Sequence, residues 1–174
     1  MTLDELIMTR VSHDLAGIIG ALHNTAELLE LDPNFAAESG TIIKTSTSTL
    51  MARLKFFRAI FGLDGSPLNT QIVQDYLKTL SAEFVLTGTI TSRIQAVAVL
   101  ICADTMFRGG HIDISSHTVS GTGQIKSDAS LIRALSGDLD DIPPKLAPAV
   151  WLAKQPLSSP VSADISQNLI IIHF

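Results

Sequence analysis

Two long stretches without proline at the start of the chain constrain its fold more than any other feature. The first runs from Leu3 to Leu31, and its apolar residues recur at three- and four-residue spacing, which predicts one amphipathic helix. Asp32-Pro33-Asn34 breaks it, and a second helix is predicted over about 35–61. Two helices joined by so short a turn form a hairpin. Because a lone hairpin leaves much of both apolar stripes in water, we predict a homodimer in which two hairpins form a four-helix bundle.

The second half of the chain, beyond the Gly- and Pro-containing segment 62–67, has a different pattern. We predict helices over 69–83, 92–107, 129–135 and 145–154, and strands over 111–119, 124–126, 161–165 and 168–174. Arg108-Gly109-Gly110 is predicted to stop the second of these helices. Helices and strands in separate runs are typical of an α+β fold. The sequence therefore predicts an α+β protein with a helical hairpin, residues 1–65, followed by a small α/β sandwich, residues 66–174.

Composition excludes several classes of protein. The chain has 12 Lys and Arg against 17 Asp and Glu, a net charge of −5, whereas nucleic-acid binders carry a basic excess. Its longest apolar run, 96–103, is far shorter than the roughly 20 residues of a membrane helix. The N-terminus has no signal-peptide pattern, and a single cysteine, Cys102, excludes a disulfide framework. We expect a cytoplasmic protein that binds neither nucleic acid nor a membrane.

One face of the first helix stands out. At about 100° per residue, its apolar stripe falls within about 40° of Val11, and His13 lies at about 200°, on the opposite face. The same arithmetic places Gly17, Gly20 and Asn24 at about 180–240°, beside His13. Each helical glycine costs about 1 kcal/mol relative to alanine, so two on one face suggest close approach of a bulky partner. The alternatives are an ordinary surface histidine and glycines that permit helix packing.

The neighbours of His13 suit phosphoryl transfer. A neutral imidazole is a nucleophile near pH 7 that can accept a phosphoryl group on a ring nitrogen and release it again. Asp14 is expected to hydrogen-bond the other ring nitrogen and orient the ring. Arg10, one turn earlier, is expected to contact the phosphoryl oxygens, with a solvated surface charge as its alternative.

The residues around His13 also carry a resemblance to a known family. Ser12-His13-Asp14-Leu15, followed by Gly20-Ala21, Asn24 and Glu27-Leu28-Leu29, resembles the ChpT-like histidine phosphotransferases of alphaproteobacteria. The stretch 102–114 and the helix around Trp151 are similar to the family's degenerate kinase-ATPase-like domain. The resemblance implies a dimeric hairpin joined to a domain that has lost ATP chemistry.

The resemblance also implies a function and partners. His13 would relay a phosphoryl group between the aspartates of receiver domains, those of a hybrid kinase and of downstream response regulators. Gly17, Gly20 and Asn24, with Arg10, would contact the receiver, which would supply the Mg²⁺; this chain would bind no cofactor. Two classes remain as alternatives: a non-catalytic dimeric adaptor, and a true ATP-dependent kinase.

Departures from active kinases disfavour that last alternative. Ile101 stands where kinases have an Mg²⁺-binding asparagine, and isoleucine offers no oxygen ligand. The nucleotide motif Asp-x-Gly-x-Gly is missing, and Gly121-Thr122-Gly123 is interpreted as a hairpin turn.

Other candidate residues favour structural roles. His111, Asp113 and His117 would share one face of a strand and permit metal binding, although polar strand residues are commoner. Cys102 is predicted to be a core residue. The loop aspartates are predicted to be solvated rather than to hold a cation; they are Asp138, Asp140 and Asp141.

Overall fold

The computed structural model describes residues 1–62, 65–126 and 129–174, and its fold is α+β, as predicted. Helix α1, Leu3–Leu31, and helix α2, Ala36–Phe61, pack against each other and are joined by a single 3-10 turn, Pro33–Phe35. Thr2 starts α1 with a capping box, in which its side chain accepts from the Glu5 N–H at 3.2 Å while Glu5 accepts from the Thr2 N–H at 2.8 Å. Both predicted helices of the hairpin are confirmed.

The second half forms a five-stranded sheet covered by helices. Its elements are α3 Thr70–Leu77, β1 Phe84–Thr87, α4 Arg93–Thr105, β2 Met106–Ile114, β3 Thr118–Ile125, α5 Ala129–Leu135, α6 Ala147–Ala153, β4 Ser162–Ile165 and β5 Leu169–His173. The strand order is β1-β2-β3-β5-β4, with β1 parallel to β2 and the other neighbours antiparallel. Helix α4 is almost wholly buried and packs against β2, β3 and α6. Its apolar run is therefore the centre of this half.

The glycines after α4 do not stop a helix, contrary to the prediction. Helix α4 ends at Thr105, and Gly109 and Gly110 lie inside β2 with φ of 81° and 150°. A Cβ on Gly109 would come within 2.0 Å of the Glu83 carbonyl oxygen, and one on Gly110 within 2.3 Å of the Thr122 carbonyl oxygen. The glycines are needed because neighbouring backbone on both sides approaches β2 closely.

Several other boundaries differ from the predictions. The helix predicted over 69–83 ends at Leu77, and strand β1, which was not predicted, follows. Residues 111–119 do not form the single strand predicted, because the chain turns at 115–117 between β2 and β3. Strand β3 then extends to Ile125, into the segment predicted as a separate strand at 124–126. Gly121-Thr122-Gly123 lies within β3 rather than in a turn, and a Cβ on Gly121 would meet the Met106 side chain at 2.9 Å. The helix predicted over 145–154 is a 3-10 turn, Pro144–Leu146, followed by α6.

One end of the hairpin is anchored on the second half, and the other end extends away from its core. Leu6, Phe56, Phe57 and Ile60 belong to the same buried cluster as α4 and α6, and the Phe56 ring stacks on Tyr76 with centroids 4.0 Å apart. Among the described residues between 11 and 55, by contrast, only Thr25 and Ser39 are buried. His13 therefore lies close to the point on α1 where packing against the buried core ends. We call the part of the hairpin between residues 11 and 55 its unsupported end. The domain boundary predicted at 65/66 follows Leu63 and Asp64, which lie outside the described residues.

None of the described helices combines the length and the apolar character that crossing a bilayer requires.

Candidate functional site

His13 lies on the outer face of α1, as its helical position predicted. Its side chain is 85% exposed. Its Nδ1 lies 3.4 Å from the Asp14 Oδ1, the long end of hydrogen-bonding distance. The other ring nitrogen, Nε2, is thereby the one left for a reacting group. An exposed imidazole whose Nδ1 faces a carboxylate can act as a nucleophile through Nε2.

Asp14 connects His13 to a buried arginine. Its side chain is only 15% exposed, and its Oδ2 accepts from the Arg10 Nε at 2.8 Å. The two carboxylate oxygens thus face two different groups, His13 on one side and Arg10 on the other. A carboxylate fixed in this way can hold a ring Nδ1–H and stabilise positive charge on the imidazole.

Arg10 is not the solvated surface charge that the sequence left open. It is 6% exposed. Its Nη1 and Nη2 donate to the Asp104 carboxylate at 2.7 and 3.0 Å, and Nη1 also donates to the Lys145 carbonyl oxygen at 2.8 Å. Burial disfavours the charged guanidinium, but the carboxylates of Asp104 and Asp14 outweigh it and raise the pKa of Arg10. Its role toward phosphoryl oxygens stays a prediction, and its nitrogens already donate to protein atoms.

Asp104 and Arg53 belong to the same group of charged residues, which we call the charged cluster: Arg10, Asp14, Arg53 and Asp104. Neither Asp104 nor Arg53 was identified from the sequence. Asp104 is at the C-terminal end of α4; burial raises the pKa of its carboxyl, and Arg10 opposes that rise. Arg53 of α2 donates to the Asp14 carbonyl oxygen at 2.9 Å and to the Thr79 carbonyl oxygen at 3.0 Å. Asp104 did leave a signal, because it is the sole acid in α4 and directly follows the apolar run 96–103, where a carboxylate requires a partner. Arg53 left none.

The glycine face beside His13 is open. A Cβ added at Gly17 or Gly20 would meet no atom within 4 Å, and Asn24 is exposed. Packing within this protomer therefore does not require these glycines. The structure brings Arg10, His13 and Asp14 together and leaves the other three predicted residues as a low, uncovered strip of helix surface, which we call the glycine strip: Gly17, Gly20 and Asn24.

A groove runs beside His13 between α1 and the second half of the molecule. Its other wall is formed by Asp104 and by the segment that precedes α6. We call it the His13 groove; it is lined by Thr9, Arg10, His13, Asp14, Asp104, Pro143, Pro144 and Lys145. The exposed imidazole therefore faces a concave surface to which both halves contribute.

The remaining candidates are a buried cysteine and three polar residues of β2 and the turn after it. Cys102 is buried, as predicted, and burial raises the pKa of its thiol, which keeps it protonated. His111 and Asp113 lie 3.2 Å apart in β2, but His117 is in the turn after that strand and does not share its face. The described residues contain no group of three or more His, Cys, Asp or Glu placed to hold a metal ion.

The loop aspartate Asp138 and the helix residue Ile101 likewise make contacts within the protein. Arg133 forms an ion pair with Asp138 at 2.7 Å, and Asp138 accepts from the Asp140 N–H at 2.8 Å. Ile101 is buried in α4. The loop is thus organised by an arginine, and Ile101 is a packing residue.

Comparisons with known proteins agree with the resemblance seen in the sequence. No family model matches the chain. It is similar to the protein phosphotransferase ChpT of Brucella abortus (strain 2308), with 36% identity over 66 residues, which is 38% of this chain and 31% of that protein. The match thus spans about a third of the curated relative's length. The chain also shares its fold with a bacterial phosphotransferase solved at 1.7 Å, with a TM-score of 0.77 and 22% identity over 98% of this chain and 94% of the other.

Proposed function

We propose that this chain is a histidine phosphotransferase that relays a phosphoryl group between receiver-domain aspartates through a phosphohistidine at His13. The observation that carries the proposal is the exposed His13 ring, whose Nδ1 faces the Asp14 carboxylate at 3.4 Å. The similarity to a ChpT phosphotransferase supports it. An unrelated surface histidine would require neither a fixed carboxylate beside it nor a charged cluster that holds that carboxylate.

The transfer needs one nucleophile and no proton acceptor. The Nε2 lone pair of His13 attacks the phosphorus of an aspartyl phosphate, and the phosphorus–oxygen bond breaks with its electron pair going to the departing aspartate carboxylate. The ring, still protonated on Nδ1, becomes a phosphorylated cation that Asp14 stabilises. In the return step a second receiver's carboxylate attacks the phosphorus, and the electron pair of the nitrogen–phosphorus bond returns to Nε2. The receiver's own acidic pocket would bring the Mg²⁺ that neutralises the phosphoryl oxygens.

The contribution of this chain is positioning. Arg10 holds the Asp14 Oδ2, so that Oδ1 remains directed at His13. Asp104 holds Arg10 through two hydrogen bonds from the other half of the molecule. A group oriented in advance avoids the entropy cost of being ordered during the reaction. We assign Asp104 and Arg10 as positioning residues, because they act on His13 through Asp14.

The glycine strip is the proposed docking floor for the receiver. A receiver must bring a buried aspartyl phosphate within bonding distance of an imidazole on a helix. Side chains at Gly17 and Gly20 would hold the partner's loops away from the helix, whereas bare backbone lets them approach. Asn24 offers an exposed amide at the end of this strip.

Replacing Gly17 with alanine is expected to raise the stability of the chain and to lower its affinity for the receiver. The new methyl group meets no atom within 4 Å, so helix propensity should stabilise the chain by about 0.5–1 kcal/mol. The same methyl group should weaken receiver binding by roughly tenfold, since it fills the docking floor. Thermal unfolding and titration calorimetry with a receiver measure the two effects. Gly40→Ala is the matched control, because its added Cβ also meets nothing and it lies on α2; equal receiver affinities for the two variants would refute the docking role.

A second copy of the chain is the proposed partner of the unsupported end of the hairpin. Among the described residues of that end, large apolar side chains are exposed at Ile19, Leu28, Leu31, Phe35 and Ile42. The described residues between 11 and 55 bury no apolar side chain, although the predicted stripes run through both helices. Pairing two hairpins in a four-helix bundle would bury these stripes and leave His13 on the outside.

The experiment that tests the function is phosphotransfer from a labelled receiver. A receiver domain carrying labelled phosphate is mixed with the chain and Mg²⁺, and label on the chain is followed with time. We expect acid-labile, base-stable label on the wild type and on His23→Ala, whose histidine is exposed on the same helix, and none on His13→Ala. Receivers that bind the wild type without labelling it would favour the adaptor alternative.

A further inference from the structure

One cation of the His13 groove, Lys145, forms no side-chain hydrogen bond or ion pair with a described residue. Arg10 donates to Asp14 and to Asp104, so these three groups together carry one net negative charge. A phosphoryl group on His13 would add roughly two more negative charges beside them. Lys145 is the remaining charged residue of the groove, and its side chain has no hydrogen bond or ion pair with any residue that the structure describes.

The backbone of Lys145 is held close to α1. Its carbonyl oxygen accepts from the Arg10 Nη1 at 2.8 Å, which ties the segment before α6 to the helix that carries His13. Pro143 and Pro144 precede it and restrict its backbone, while Leu146 after it is buried. Lys145 itself is exposed, and its charge partly offsets the rise that burial causes in the pKa of the Asp104 carboxyl. A fixed backbone thus places an exposed cation in the lining of the groove that His13 also lines.

We propose that Lys145 binds the phosphoryl oxygens when the phosphoryl group is on His13, and so is the phosphoryl-contacting cation that this chain supplies. This inference rests on the proposed phosphotransfer at His13. It assigns to Lys145 the contact that the sequence suggested for Arg10, whose nitrogens are engaged with two carboxylates and a carbonyl oxygen. Lysine binds phosphate as a point charge and needs no fixed fork geometry, which suits an exposed side chain. The second half of the molecule then contributes directly to the reaction.

The expected effect is on the transfer rate more than on receiver binding. Lys145 would stabilise the charge on the phosphoryl oxygens in the transition state, which the forward and the return step share, so its removal should slow both steps. Removing one donor from a closed oxyanion site costs about 10²–10³-fold. The His13 groove is open to water, where screening weakens such contacts, so we expect about 10–100-fold.

Rapid-quench phosphotransfer with the full chain tests the assignment. Lys145→Ala should lower the single-turnover rate by about 10–100-fold at saturating receiver, with the half-saturating receiver concentration changed less than about threefold. Lys145→Arg should restore the rate to within about fivefold, because the charge is retained. The matched control is Lys154→Ala, an exposed lysine at the end of α6 that does not line the groove; its rate should equal that of the wild type.

Failure of this inference and failure of the proposed function give different results. A wild type and Lys145→Ala that are labelled at equal rates would overturn only the role of Lys145. So would a change confined to the half-saturating concentration, because that is the result of a receiver contact. If no receiver labels the wild type, His13 is phosphorylated chemically with phosphoramidate, and the hydrolysis of the phosphohistidine is followed. Under this assay a changed hydrolysis rate in Lys145→Ala, but not in Lys154→Ala, supports the contact, and equal rates overturn it.

Discussion

Replacing Arg10 with methionine is expected to lower the free energy of unfolding by about 3–5 kcal/mol, the usual cost of breaking a buried ion pair by removing one partner. The guanidinium is 6% exposed and neutralises two carboxylates whose side chains are 15% and 22% exposed. Methionine fills much of the volume but leaves Asp14 and Asp104 facing each other without the cation between them. It also releases the Lys145 carbonyl oxygen from α1. For a chain of this length, the midpoint of thermal unfolding should fall by roughly 10 °C.

Urea unfolding with matched variants isolates this effect. Arg108→Met is the control, because Arg108 is exposed and lies over the Phe107 ring at 5.6 Å; its loss should cost less than about 1 kcal/mol. Adding Asp104→Asn to Arg10→Met should recover part of the lost stability, since one uncompensated carboxylate is gone. Equal free energies of unfolding for Arg10→Met and Arg108→Met would show that the charged cluster does not stabilise the packing of the hairpin against the second half of the molecule.

Replacing Leu22 with aspartate is expected to convert the proposed homodimer into a monomer. Leu22 lies on the apolar stripe of α1, within the stretch that one protomer leaves without buried apolar side chains. In a four-helix bundle the substitution would place one unpaired carboxylate from each protomer in the core, at several kcal/mol each. The dimer dissociation constant should rise by at least about a thousandfold.

Sedimentation equilibrium over a range of concentrations measures this change. Ala16→Asp is the control, because it places the same charge on an exposed position of α1, at about 140° from Val11 by helical arithmetic. The Ala16→Asp variant should remain a dimer, while Leu22→Asp should be a monomer whose second half stays folded on its own core. A wild type that is monomeric at high concentration would exclude the bundle.

The sequence predicted the hairpin well because the hairpin follows local rules. Helices α1 and α2 are long and periodic, and each ends at a clear signal, so their bounds agree with prediction to within a residue. The exposed position of His13 followed from the same helical arithmetic. These features depend only on residues a few positions apart.

Features that depend on distant residues were not predictable in this way. Arg10 is buried because Asp104, 94 residues away, accepts from it, and nothing near Arg10 indicates that partner. Gly109 has the local appearance of a helix stop, yet it is required by the backbone of Glu83, the residue just before a strand that was not predicted. Strand β1 has only four residues and no alternation to mark it. Long-range packing decided each of these cases.

The proposed relay places the phosphoryl group on Nε2 of His13, because Nδ1 faces Asp14. Phosphorus-31 NMR of the chain after transfer from a receiver, with mass-spectrometric mapping of the phosphorylated peptide, tests it directly. We expect a single phosphoramidate signal typical of Nε2-phosphohistidine, mapped to residue 13 and missing from His13→Ala. A signal typical of Nδ1-phosphohistidine, or phosphate mapped to any other residue, would contradict it.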